Sequence, residues 1–520
     1  MSPNRSHSPT RGGRPLRVFL VAFAAFFAAI AVWSVATPLM ASPDEPVQVA
    51  KAAAVVRGEL VSQLVGGPSS PEGLVSIPAA YASLGYLVRC YQFNANVPAS
   101  CAPAYRSRVG TARVPIADAR YPPLYFLVVG LPSLLTDSVM GIYLMRLLSG
   151  ALNALFLALA VMAAVTWSRS RLLLAGVVVA ATPSALFFAG LVNPTGLETS
   201  VAICLWTSGL ILVRERPTDA PSGLVAIVAV SAGVESLTRP LSPFWVALTV
   251  LAILAVADWR GLSSLARSRA AWIGGAFAAV CGALATAWIL VEHSLNVLAP
   301  GAPVPASVGE GRLLVLAFLR TPTYFTEMVS RFGWLVAPSP SVTYIAWAGL
   351  LGAVLLLALA SGTVRRSIVL VVLVAAVVVI PMLISIGQAH RLGITWQGKD
   401  TLPLAVGVPL VAASTMANSA LSDVPIFRAR FVGVVAATAG VATIVALFGD
   451  LRRNAVGDNG ANFSFLHAAW QPPLGIGGVL VFGVLATAGL TTVVSVLGVS
   501  QPALDARLES SETGEGGDHG

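Results

Sequence analysis

The sequence predicts an all-α polytopic membrane protein of about twelve transmembrane helices (11–13), with a long external first loop carrying interfacial helices. Three observations predict it. Hydrophobic residues make up 56% of the 520 residues and charged residues only 11%, too little charge to cover a soluble protein of this size. Mean hydropathy is +0.81. The apolar residues also gather into runs long enough to cross a bilayer as helices, separated by short segments that carry the arginines.

The formal net charge of +9 fits the same class. Basic residues are scattered between apolar runs, the positive-inside pattern and not a binding stripe, so no nucleic-acid partner is expected. Lysine occurs only at Lys51 and Lys399, a bias toward arginine that says nothing about mechanism.

Residues 1–17 hold Arg5, Arg11, Arg14 and Arg17 with no acid, and read as a cytoplasmic basic tail. Residues 18–36 form a first span, retained because no small-x-small cleavage site follows the long apolar stretch. Residues 37–140 form the external loop, 141–498 the helical bundle, and 499–520 a disordered acidic tail in the cytoplasm. Within the bundle, apolar runs lie at 141–166, 172–190, 196–213, 222–237, 241–257, 271–291, 342–361, 367–386, 401–417, 431–448 and 474–498. The run near 122–136 is short and contains Gly130 and Pro132. Leaving it out of the count puts Arg169/Arg171, Arg214/Arg216, Arg260/Arg267/Arg269, Arg365/Arg366 and Arg428/Arg430 on the side of the amino terminus. It is therefore expected to be interfacial or re-entrant.

That parity sends the unusual polar segments to the external face: Ser42–Glu45, Tyr121–Tyr125, Asn193–Glu198, Glu235–Pro240, Arg331–Trp334, His390–Asp400 and 449–473. A site facing outward at the membrane boundary would need such one-sidedness. Cys90 and Cys101 share the external loop and suggest a loop-closing disulfide. No Cys/His cluster has zinc spacing.

The sharpest feature is Ser42-Pro43-Asp44-Glu45-Pro46, two carboxylates held between prolines just outside the first span. One reading makes Asp44 the cap of the helix expected over 47–64; the other makes it a general base at the lipid–water boundary. Adjacent residues project in different directions, so Asp44 and Glu45 do not suit a glycosidase pair. Tyr121-Pro122-Pro123-Leu124-Tyr125 starts the short helix, as an aromatic belt or as part of a site. Arg146, near the external end of the next span, is costly there unless paired or functional.

These pieces resemble the GT-C superfamily of integral-membrane glycosyltransferases, and most closely the family called domain of unknown function 2142 (DUF2142), in its actinobacterial form. The matching segments run in order: Ser42 to Pro46, Tyr121 to Tyr125, Asn193-Pro194-Thr195-Gly196-Leu197-Glu198, Arg239-Pro240, Phe332-Gly333-Trp334 and Trp396-Gln397-Gly398-Lys399. Three positions depart from the family pattern. Gln48 stands near an expected histidine, Val336 where an acid is expected, and Lys399-Asp400 where Arg-Tyr is expected. Lysine keeps the charge but loses the planar fork.

The resemblance implies transfer of a sugar from a polyprenyl-phosphate donor to a cell-wall glycan or glycolipid of the envelope, at the external face of the plasma membrane. Asp44 would be the base, and Glu45 would orient the acceptor or help hold a metal. Arg146, Arg239, Arg331, Arg391 and Lys399 are the candidates to bind the donor phosphate. Tyr121, Tyr125, Trp334, Trp396 and Gln397 are the candidates to bind substrate. Glu198 and Glu235 are expected to pair with arginines, and His390 to be a polar loop residue. No cofactor is certain, and a divalent cation is left open because the superfamily includes both kinds. Arabinofuranose or mannose is the sugar the resemblance suggests. Two other classes stand beside this reading: a flippase or transporter of lipid-linked saccharides, disfavoured by the lack of internal symmetry, and a non-catalytic assembly protein, which the departures keep open.

Overall fold

The computed structural model describes residues 13–65, 72–215, 220–296, 302–460 and 468–499. Residues 1–12 of the basic tail and residues 500–520 of the acidic tail lie outside them. All twelve apolar runs are helical. Nine helical stretches among the described residues are long and apolar enough to cross a membrane, and the chain is a multi-pass helical membrane protein.

The chain starts with α1 (Gly13–Ala36) and enters the first loop through α2 (Glu45–Val55). Strands β1 (Gln63–Val65), β2 (Glu72–Pro78) and β3 (Thr111–Ile116) form an antiparallel sheet in that order, with Gly73 opposite Ile116 and Pro78 opposite Thr111. The loop is therefore not purely helical, as the sequence reading had it. Along β2, Val75 and Ile77 are buried while Leu74 and Ser76 are partly exposed, the period-2 signal that a search for interfacial helices passes over. Cys90 and Cys101 are bonded within the loop. The segment near 122–136 is a short helix, α3 (Leu124–Val129), followed by a 3-10 turn at Leu131–Leu134.

The bundle begins with α4 (Val139–Thr166). The run 172–190 divides into α5 (Leu173–Ala180) and α6 (Pro183–Ala189). Pro183 offers no N–H, and the Thr182 hydroxyl caps the second piece by accepting from the Ala185 N–H at 3.1 Å. Helix α7 (Pro194–Arg214) is buried over its whole length and forms the centre of the bundle. Helices α8 (Ser222–Ser236) and α9 (Ser242–Val256) have 15 residues each, about 22 Å of helix against about 30 Å of hydrocarbon. A bend of 119° then leads from α9 into α10 (Trp259–Arg267).

The chain continues through α11 (Arg269–Val291), α12 (Glu310–Leu319), α13 (Thr321–Ser330), the two-residue strands β4 (Arg331–Phe332) and β5 (Ala337–Pro338), α14 (Ser341–Ser361) and α15 (Val364–Leu392). A broken stretch made of a turn at Gly398–Thr401, α16 (Leu402–Ala405) and α17 (Gly407–Ala417) returns into the bundle, and α18 (Pro425–Val456) and α19 (Gly475–Val499) close it.

Candidate active site

The acidic pair at the end of α1 is split by the backbone. Asp44 takes a left-handed conformation, φ 65°, which Asp tolerates better than most residues. Its carboxylate makes no bond to the start of α2, so the capping reading of Asp44 fails. The next side chain turns inward. Glu45 is fully buried and accepts from Arg146 Nε and Nη2, both at 2.7 Å. Arg146 gives its other three N–H groups to the carbonyls of Ser34, Thr37 and Pro38 at 2.8–3.0 Å. All five donors are used, so Arg146 has none left for a donor phosphate. The two residues expected as catalyst and phosphate ligand are a brace between α1, α2 and α4.

Asp44 instead faces outward, its side chain 39% exposed, and accepts from Lys399 Nζ at 2.5 Å. Lys399 is held by a tight turn. The Asp400 carboxylate accepts from the Gln397 N–H at 3.3 Å, and Glu327 Oε2 accepts from the Gly398 N–H at 2.6 Å. A side chain at residue 398 would meet the Tyr324 carbonyl oxygen at 2.3 Å, so glycine is required for the turn to pack. Asp400 also accepts from Arg239 Nη2 at 2.8 Å, while Arg239 Nη1 donates to Glu198 at 2.9 Å and Ser242 donates to Glu198 at 2.6 Å. Glu198 thus pairs with an arginine as expected. Glu235, expected to pair in the same way, does not: it is buried, and among the described residues neither of its oxygens has a hydrogen-bond partner.

Asp118 completes the cluster. It sits in left-handed backbone, φ 58°, after β3, and accepts from Gln48 Nε2 at 2.8 Å and from the Tyr121 phenol. Burial, followed by the negative charge of Asp44, pushes its carboxyl up to about 7, against the pull of Lys399 and Arg239. Sequence reading missed Asp118, although it lies three residues before the Tyr121-Pro122-Pro123 segment that it flagged. An acid so close to a proline-fixed aromatic was the available signal. Glu327 was missed too, being an acid inside an apolar stretch with no motif around it.

The structure brings together Asp44, Asp118, Tyr121, Arg239, Lys399 and Asp400. It does not bring the other expected residues there. Arg331 lies behind the Lys399 turn, acting on Glu327 through its charge, and Arg391 is exposed at the end of α15. Tyr125 is buried with its hydroxyl on Ser149 at 3.0 Å, so it braces α3 on α4 and offers no surface to a substrate. Trp396 is buried, edge-on to Trp245, and donates to Thr401 Oγ1 at 2.9 Å. Half-buried Trp334 donates to the Met40 carbonyl at 3.1 Å, and Gln397 opens the Lys399 turn. His390 is exposed, its Nδ1 3.0 Å from the Val304 carbonyl.

Among the described residues, no three of His, Cys, Asp and Glu form a group that could hold a metal ion. Asp44 is satisfied by Lys399, and Asp118 by Gln48 and Tyr121. The cluster does not fit a divalent cation.

Next to the Lys399 turn, a cavity of about 210 Å³ opens between α5, α13, α14, α15 and α17. Thr401 and Leu402 border it, and Trp347, Leu351, Val377 and Pro409 line it. Its walls are almost wholly apolar, whereas the neighbouring cluster is almost wholly charged.

The sequence profile of DUF2142, described as "Predicted membrane protein", matches residues 26–408. No curated protein sequence matches the chain. Among solved structures, the chain is similar to ArnT from Cupriavidus metallidurans bound to undecaprenyl phosphate, at 14% identity and a TM-score of 0.43, over 97% of this chain and 81% of that one. The apo form of the same protein gives 12% identity and a TM-score of 0.43, over 96% and 80%.

Proposed function

This chain belongs to the DUF2142 family, and from the Asp44–Lys399 cluster beside an apolar cavity we propose that it is a GT-C-type membrane glycosyltransferase. It transfers a sugar from a polyprenyl-phosphate donor to an envelope glycan or glycolipid, at the external face of the plasma membrane. The observation that supports this is the ion pair of partly exposed Asp44 with buried Lys399, which stands two residues before Thr401 on the border of that cavity. A lipid-phosphate sugar has the matching form, an anionic centre joined to a long apolar chain. The chain gains little free energy by leaving surrounding lipid, which is as apolar as the cavity. Entering the cavity orients the donor, and the charged cluster meets its phosphate.

The step uses this chain's own groups. The acceptor hydroxyl attacks the anomeric carbon, the bond from that carbon to the phosphate oxygen breaks, and polyprenyl phosphate leaves. The hydroxyl proton passes to Asp44. Once protonated, Asp44 loses its hold on Lys399, and the ammonium is released to the phosphate as its charge develops. Arg239 supplies a second positive charge, held in place by Glu198 and Asp400. Asp118, whose carboxyl is raised to about 7 and so holds its proton about half of the time near neutral pH, reduces the negative charge that the phosphate would otherwise meet.

The test compares wild type, Asp44→Asn and Lys399→Met in nanodiscs, each offered a panel of polyprenyl-phosphate sugars and scored for transfer or release of sugar. Wild type is expected to turn over, and each variant to lose at least about 100-fold while keeping its thermal unfolding temperature. Full activity in Asp44→Asn, or no turnover of any donor by wild type, would overturn the reading.

A further inference from the structure

A second concave site lies on the first-loop face, beside the Glu45–Arg146 brace, whose arginine contacts its Pro38 and Tyr143. It has a volume of about 180 Å³ and is walled by Pro38 at the end of α1, Tyr91 inside the disulfide-closed loop and Tyr105 just after it, Tyr143 of α4, and Trp470 and Pro472 before α19. Four separate parts of the chain thus converge on one small space, and among the described residues no charged side chain lines it.

The walls are held from behind. The Arg453 guanidinium lies 5.4 Å from the Tyr91 ring centroid and donates to the Tyr91 and Asn94 carbonyls. The Arg146 guanidinium lies 5.6 Å from the Tyr143 ring and is itself clamped by Glu45. The Tyr105 hydroxyl donates to the Asp137 carbonyl at 2.5 Å. The Cys90–Cys101 bond fixes the strand of loop on which Tyr91 stands, and Pro38 and Pro472 stiffen two more walls. Two tyrosine rings backed by buried cations, with a disulfide and prolines around them, form a surface whose shape is set before anything binds.

We propose that this pocket is a neutral-saccharide subsite that holds the acceptor glycan, resting on the transferase reading above. The chemistry selects the ligand class. Aromatic faces suit the C–H face of a sugar ring, and phenol and indole edges suit its hydroxyls. Without a lining charge, the pocket has nothing to hold a phosphate or a carboxylate. The volume admits one or two rings and not a folded peptide. The reach is also right: Pro38 and Asp44 are six residues apart, at most about 20 Å of chain, so a glycan of a few units anchored here can present its end to Asp44.

The experiment uses the full chain in nanodiscs and saturation-transfer NMR with neutral pentose and hexose tri- to pentasaccharides at millimolar concentration, with dodecyl maltoside and free hexanoate as competing probes. Saturation is expected to reach the sugar ring protons of at least one saccharide. Trp470→Ala should weaken that binding at least tenfold and Trp470→Phe should restore most of it, both with unchanged thermal unfolding. Transfer to no saccharide, transfer only to the dodecyl chain or hexanoate, or equal binding by Trp470→Ala would each overturn the proposal. Donor turnover by wild type is read separately. Saccharide binding without any turnover leaves the subsite standing and the transferase reading refuted. Turnover with an acceptor KM that Trp470→Ala does not raise refutes the subsite alone.

Discussion

Glu45 and Arg146 show how one residue step decides a role. In the sequence, Asp44 and Glu45 are two acids side by side between prolines, and nothing local separates them. The turn out of α1 sends Glu45 to an arginine 101 positions away and leaves Asp44 at the surface. The pair is completely buried, and removing one partner of such a pair strands the other charge. Glu45→Gln should therefore destabilise the fold by about 3–5 kcal/mol, seen as a clear drop in the thermal unfolding temperature, whereas Asp44→Asn should unfold close to wild type. Asp118 carries a pH prediction. Its carboxyl is raised from the ordinary 3.8 to about 7, so the folded state binds its proton more tightly than the unfolded chain does. That stabilisation is fully present below about pH 4 and is lost as pH rises through about 7. Asp118→Asn should gain stability relative to wild type between pH 5 and pH 8, by about 2 kcal/mol, measured as the difference in unfolding temperature at the two values. An unchanged difference across that range would contradict the assigned burial.

Helix α2 is the element that gathers the site, because Asp44, Gln48 and Lys51 follow at the spacing of one helical face. Lys51 is fully buried, its ammonium donating to the Leu60 carbonyl at 3.0 Å, and burial lowers it from 10.5 to about 8. The unfolded chain binds more protons than the folded one between these values, so this group adds stability as pH rises from about 8 to 10.5. Lys51→Met should abolish that rise and be neutral or stabilising at pH 7, as thermal unfolding against pH will show. The loop beyond α2 is stapled by one disulfide across 11 positions. Removing it with Cys90→Ser and Cys101→Ser should cost roughly 3 kcal/mol, read as faster proteolysis within the first loop while the spans stay protected. At this scale the sequence was uneven as a guide. Length and hydropathy revealed the long helices, and Gly130 with Pro132 marked the short one before α4. The break at Thr182-Pro183 was visible as a proline in an apolar run but was outweighed by that run's length. The sheet was hidden because β1, β2 and β3 have only 3, 7 and 6 residues, with a weak alternation inside a loop.

Across the whole molecule, hydropathy could define the class because bilayer thickness dictates helix length. It could not define the site, whose charged partners lie hundreds of residues apart. Lys399 and Arg239 were named among five candidate cations, and only packing separates them from Arg146, which the brace consumes, and Arg391, which faces away. Orientation is tested directly. Val109→Cys, in the exposed part of the first loop, should react with an impermeant maleimide on intact cells, and Ala266→Cys in α10 should react only after lysis. The reverse labelling would invert the proposed active face.

The Asp44–Lys399 contact joins residues 355 positions apart, and this bears on how the protein is made. At about 5–20 residues per second, the ribosome delivers Lys399 on the order of twenty seconds to a minute after Asp44. Arg146, 101 positions from Glu45, arrives within about 5–20 seconds. The brace can thus close early and hold the nascent first loop in shape. The reactive pair can form only when most of the bundle has been inserted, so an unfinished chain would lack the ammonium that its base requires.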